Sequence, residues 1–247
     1  MDIYTLAIGL VAVLLASFFA TVSGFGFALI CAPLLSLVLP LKSVVIFVPF
    51  LSIVMRVVTM YTTYRDVNWK AVAIVCIGSL IGILPGGLIL KVLPSWALGL
   101  LLGGGLIVAV ILMGMKCRLE IKNKTLGRLI TGIVSGFFGA STSVNGQPIA
   151  LYFLNEQMEK TQMRANMIWI FAVHFIVMVI AYLAMDTYSV VDDWTPFYYL
   201  LPASVVGIVL GEKFAGKVSQ ALFHKLSLVI VAAGGVMMLI SSIESII

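Results

Sequence analysis

Apolar residues run along this chain in blocks of about twenty, the length that crosses the hydrocarbon core of a bilayer as a helix. Two of the blocks are interrupted. The uncharged run from Ile3 to Leu41 contains SGFGFALICAPLL at Ser23 to Leu35, and the uncharged run from Leu129 to Asn155 contains SGFFGASTSVNGQPIAL at Ser135 to Leu151. The second stretch gathers three Gly, three Ser, a Thr, an Asn, a Gln and a Pro. That density of helix-disfavouring and polar residues predicts a break in the helix. Broken backbone is tolerated at membrane depth only where protein or a wet cavity shelters it. Two breaks, one in each half of the chain, point to a transport site between them.

The pattern predicts an all-α membrane protein built of two inverted-topology repeats. Each repeat is a broken re-entrant helical hairpin followed by three transmembrane helices. The first covers residues 1–115, with hairpin 3–38 and spans 43–62, 71–90 and 95–115. A cytoplasmic loop, 116–125, follows. The second covers 126–247, with hairpin 126–155, whose arms are 126–138 and 146–155, and spans 165–185, 196–211 and 222–243. The halves resemble each other in sequence. Ser23-Gly24-Phe25 matches Ser135-Gly136-Phe137 at an offset of 112, Pro33 matches Pro148 at 115, and SLIGILPG at 79–86 matches SVVGIVLG at 204–211.

Composition agrees. Of 247 residues, 62% are hydrophobic and 10% charged, and the mean hydropathy is +1.18. A soluble domain is about one quarter charged. No basic segment precedes Ile3, so residues 3–22 read as part of the mature protein rather than a signal peptide. The three cysteines, Cys31, Cys76 and Cys117, are an odd number without metal-ligand spacing and predict neither a disulfide framework nor a zinc site.

Lys and Arg set the orientation. With Lys116 to Arg128 in the cytoplasm and each hairpin returning to the side it left, twelve of the fifteen Lys and Arg fall inside. Lys42 and Lys91 fall outside together with the acidic loop Asp186 to Asp193, and Arg56 lies within a span. Each half then makes an odd number of crossings, so the halves are inverted.

A helix that restarts inside the membrane presents free N–H groups and a positive dipole end, a natural seat for an anion. Around the second break Ser141, Thr142, Ser143, Asn145, Gly146 and Gln147 supply neutral hydrogen-bonding groups, which suit a site that must also release its ligand. Pro148 fits a first helical turn, where no N–H is needed. At the first break, Ser23, Gly24 and Gly26 serve either binding or close helix packing. Arg56 is a cation within a span: it either neutralises a bound anion or snorkels to the surface. Arg164 is a second candidate counter-charge. His174, near the middle of its span, is the candidate proton carrier, with a structural hydrogen bond as its ordinary alternative. Motifs of metalloproteases, nucleophile elbows and phosphate-binding loops are absent from the sequence, which speaks against an enzyme.

The stretches SGFGFALICAPLLSLVLP at 23–40, RDVNWK at 65–70 and SGFFGASTSVNGQPIALYFLNEQMEKTQMRAN at 135–166 resemble the TauE/SafE sulfite-exporter family over essentially the whole chain. In that family the second break carries a Gly-Gly-Pro-Pro type run. Here Asn145-Gly146-Gln147-Pro148 stands in its place, a more polar version. The resemblance implies a secondary transporter of sulfite, sulfoacetate or a related organosulfonate, coupled to an ion such as the proton, in the cell inner membrane. No cofactor, metal or nucleic acid is expected. The oligomeric state is open, with a homodimer as one form. A passive anion channel and a membrane scaffold without substrate are the alternatives.

Overall fold

The computed structural model describes residues 3–23, 26–115, 121, 123–214 and 220–245, and all of its regular elements are helices. They are α1 (Ile3–Ser23), α2 (Phe27–Leu35), α3 (Leu41–Thr63), α4 (Trp69–Val92), α5 (Ser95–Met115), α6 (Lys124–Thr142), α7 (Gly146–Asn155), α8 (Lys160–Ala184), α9 (Thr195–Phe214) and α10 (Gln220–Glu244). Short 3-10 turns, Tyr64–Asp66 and Thr187–Val190, precede α4 and α9. Helices are what an apolar chain must form where no water can satisfy its backbone. The starts are coded locally. Asn68 and Asn123 cap α4 and α6 by accepting from the Ala71 and Leu126 N–H groups, and Pro40 precedes α3. Among the described residues four segments are long and apolar enough to cross a membrane: Ile3–Val22, Trp69–Val92, Thr161–Ala184 and Thr195–Phe214.

The fold is all-helical, as the hydropathy pattern implies, and it differs from the sequence reading at the second break. The second break is narrower than the sequence suggested, because SGFFGAST is helical and α6 runs on to Thr142. Two features offset the poor helix propensity. Ser141 and Thr142 donate their hydroxyls back to the Phe137 and Phe138 carbonyls at 2.8 and 2.7 Å. Gly132 and Gly136 lie against the backbone of α4 at Val75 and Ser79, an approach that no side chain would permit.

The same contacts give the direction of each helix. Along α4, Gly78, Gly82 and Gly86 meet Leu129, Ile133 and Phe137 of α6 in ascending order, so the two helices run parallel. Gly207 and Gly211 of α9 meet Leu14 and Phe18 of α1, again in parallel. In α5 and α10 the order is reversed: Gly99 meets Ser242, and Gly103 meets Gly235. At one end of the bundle the Lys42 ammonium donates to the Lys91 carbonyl, and the Lys91 ammonium donates to the Met185 carbonyl and stands 4.0 Å from Asp186. These are the residues that the charge pattern assigns to the outside.

α4 packs on α6 and α9 on α1, α4 on α8 and α9 on α3, α5 on α10 and α3 on α8. In element order α1 and α6 end 119 residues apart, at Ser23 and Thr142, and α2 and α7 open 119 apart, at Phe27 and Gly146. The SGF pair, 112 apart, is therefore about two helical turns out of this register: Ser23 ends α1, whereas Ser135 lies well inside α6. The SLIG/SVVG match is in register, with Gly82 and Gly207 each set against a neighbouring backbone.

Candidate functional site

Between α1 and α2 the chain turns at Gly26, whose φ of 93° lies in the left-handed region that a Cβ disfavours. Between α6 and α7 it turns at Ser143, a non-glycine residue at φ 62°. The Ser143 N–H bonds to the Gly139 carbonyl at 2.8 Å, and its hydroxyl reaches into the other half to donate to the Val45 carbonyl at 2.7 Å. Those bonds hold a conformation that serine does not favour by itself.

The helices that restart after the breaks open on one small cavity. Gly26 to Leu29 line it from α2, Val144 to Gln147 from α7, and Phe171 and Phe175 from α8. Its volume is about 10 Å³, the room that about one water needs. Neither α2 nor α7 has a side-chain cap, so the first-turn N–H groups of the two helices that border this space have no intrahelical acceptors. Pro148, the third residue of α7, has no N–H to leave unmatched. Asn145 and Gln147 are 3% and 4% exposed, yet the Asn145 Nδ2 and both amide atoms of Gln147 lack a hydrogen-bond partner among the described residues. An unpaired buried amide is costly, and two of them beside two uncapped helix starts make a concentrated donor set.

His174 stands directly behind. It is 1% exposed, both ring nitrogens are without a described partner, and it packs beside Gly139 and the Asn145 side chain. Phe171, His174 and Phe175 share one face of α8. Among the described residues no group of three or more His, Cys, Asp or Glu converges on a metal-sized centre.

A family model described as the sulfite exporter TauE/SafE matches residues 9–238. The chain belongs to the TauE/SafE family. It is similar to a protein of Cupriavidus necator named as a probable sulfite/organosulfonate exporter, TauE, at 26% identity over 90% of each chain. No solved structure matches it. TauE/SafE proteins are transporters, so this is a multi-pass membrane transporter and not an enzyme.

Within the TauE/SafE chain the sequence-predicted site residues separate into groups. Gly26, Asn145, Gly146 and Gln147 line the cavity together. Ser141, Thr142 and Ser143 are buried beside it, but their hydroxyl protons are already given to backbone carbonyls. Arg164, in the first turns of α8, is half-buried, its Nε has no partner among the described residues, and it does not reach the cavity wall. Ser23 ends α1 and Arg56 lies in α3, but the side chains of both, and all of Gly24, lie outside the described residues.

Sequence reasoning missed the phenylalanine wall and Ser135. Phe171 and Phe175 were visible as an i, i+4 pair around His174. Nothing local marked Ser135, whose hydroxyl donates to the Asn145 carbonyl at 2.7 Å across the break. Also missed was the lock at the base of the second hairpin. There Arg128 of α6 pairs with Glu156 after α7 at 2.9 Å, with side chains 13% and 6% exposed, and the Tyr152 hydroxyl lies 3.2 Å from Glu156.

Proposed function

We propose that the protein is a secondary transporter that exports a small sulfur-containing anion, sulfite, sulfoacetate or a related organosulfonate, across the cell inner membrane by alternating access with proton coupling. The observation that carries this reading is the single cavity shared by the two uncapped helix starts and the unpartnered amides of Asn145 and Gln147. Two helix N-termini bordering one cavity offer an anion N–H donors and dipole ends without a permanent counter-charge. A ligand held this way is also readily released. The name of the Cupriavidus necator relative supports the choice of sulfur oxyanions.

A space of about 10 Å³, the room one water needs, is too small to seat such an anion without widening. That favours a gated carrier over a permanently open pore. Helix directions support inverted repeats: α4, α6 and α8 start at the end of the bundle opposite to α1, α3 and α9, and each helix of one half has a reversed counterpart in the other. His174, buried behind Asn145, is the proton carrier in this reading, and Arg56 and Arg164 are the counter-charges along the path to the site. Ser23 and Gly24 complete the first break.

The test is uptake of radiolabelled sulfite and sulfoacetate into proteoliposomes with and without a pH gradient. Gradient-driven accumulation above equilibrium, lost in Asn145→Ala and Gln147→Ala, is the expected result. Equilibration without accumulation would identify a channel, and no flux of any sulfur oxyanion would turn the assignment toward a scaffold.

A further inference from the structure

We propose that Ser135 is the positioning residue of the anion site, holding the backbone of Asn145 so that the Asn145 amide and the first N–H groups of α7 stay free for the ligand. This rests on the functional reading above and adds the device that keeps the site open. Asparagine is among the best N-cap residues: normally its backbone is extended and its side-chain oxygen accepts from the second or third N–H of the helix. Asn145 occupies the cap position of α7, yet makes no such bond and sits at φ −105°, ψ −14°. It is an asparagine prevented from capping.

Two features produce that state. Pro148, third in α7, has removed one of the N–H groups a cap would seek. Ser135, itself 0% exposed, reaches across the break from the middle of α6 and donates to the Asn145 carbonyl at 2.7 Å. That bond ties the cap residue to a helix held against α4 by Gly132 and Gly136 on either side of Ser135 in the chain. The backbone of Asn145 is thereby satisfied by the protein while its Nδ2 is satisfied by nothing described. Ser143 secures the other side of the same loop through Val45. A loop pinned at both ends with its amide unpaired is pre-organised for a ligand.

The experiment is sulfite binding by calorimetry to detergent-purified protein: wild type, Ser135→Ala, Asn145→Ala, the double variant, and Ser135→Thr. Ser135→Ala should weaken binding roughly tenfold, the scale of one buried hydrogen bond. The double variant should bind no more weakly than Asn145→Ala alone, because a residue that acts through Asn145 has nothing left to position. Ser135→Thr, which keeps the hydroxyl, should recover most of the affinity. A Ser135→Ala protein that binds as wild type does, or losses that simply add in the double variant, would overturn the positioning role while leaving the anion site standing. A wild-type protein that binds no anion removes the site, and this role with it. Should Ser135→Ala not yield folded protein, Ser135→Cys, a weaker donor of similar size, takes its place under the same criteria.

Discussion

The Nε2 of His174 lies 2.7 Å from the point where a Cβ on Gly139 would stand, and the Cβ of Asn145 lies 3.0 Å from that same point. The missing side chain of Gly139 is therefore the space that the imidazole and the Cβ of Asn145 approach together. Gly139→Ala should push both aside at an overpacking cost of about 1–3 kcal/mol. The variant is expected to assemble but to lose most sulfite transport, measured as initial uptake rate against the amount of folded protein. His174→Gln, which keeps the ring space partly filled, should instead separate two activities. Accumulation driven by a pH gradient should fall away while sulfite–sulfite exchange persists. Retained gradient-driven accumulation would exclude His174 as the proton carrier.

The unpaired amides predict a stability effect of unusual sign. Gln147 is 4% exposed and neither amide atom has a described partner. Replacing it with leucine, close in volume, removes a desolvation penalty of about 1–3 kcal/mol. The ligand-free Gln147→Leu protein should melt higher than wild type, whereas the stabilisation by millimolar sulfite should disappear. Thermal melts with and without sulfite decide it; a lower ligand-free melting temperature would mean that Gln147 has a structural hydrogen bond.

Arg128 and Glu156 close the base of the second hairpin at 2.9 Å with little exposure. Removing one partner of a buried pair strands the other charge, at a cost of about 3–5 kcal/mol. Glu156→Ala should thus destabilise far more than Tyr152→Phe, which loses one hydroxyl proton shared between the Lys124 carbonyl at 3.0 Å and Glu156 at 3.2 Å, worth about 1 kcal/mol. Midpoints of thermal inactivation for both variants, with the exchanged pair Arg128→Glu/Glu156→Arg as the partial rescue, test this.

Glycine placement on α4 and α5 makes a paired prediction. A side chain at Gly82 would run into the Ile133 carbonyl of α6, whereas one at Gly104 of α5 meets nothing within 4 Å. Gly82→Leu should abolish a monodisperse product in detergent chromatography, and Gly104→Leu should leave it unchanged. Equal behaviour of the two variants would contradict the α4–α6 contact.

The cluster of Lys42, Lys91 and Asp186 gives a topological test. Ser189→Cys, beside Asp186, should react with a membrane-impermeant maleimide from outside intact cells in a background without native cysteines. Asn123→Cys, at the start of α6, should react only after permeabilisation. Labelling of both from the same face would exclude the inverted arrangement.

Much of this molecule is determined by local chemistry. Runs of about twenty apolar residues have to be helices in lipid. Asn68, Pro40, Pro94 and Asn123 mark where the helices start, and clustered Gly, Ser and Asn residues mark where two of them break. Charge placement then foretells which loops sit together, as Lys91 and Asp186 do. The helical runs, and the places where two of them break, are therefore legible in the residues themselves.

Which polar groups remain available is settled by packing. Ser141, Thr142, Ser143, Asn145 and Gln147 look alike as a polar run, because sequence carries no record of the acceptor each one finds. Backbone carbonyls of α6 and α3 take the three hydroxyls, and the two amides are left facing the cavity. The register of the halves was likewise hidden. A serine that ends one helix and a serine that lies inside another look the same in one dimension; packing of Gly132 and Gly136 on α4 and the hydroxyl bonds of Ser141 and Thr142 keep the second stretch helical. A break can be read from residues that disfavour a helix, but a site consists of the donors that packing leaves unmatched.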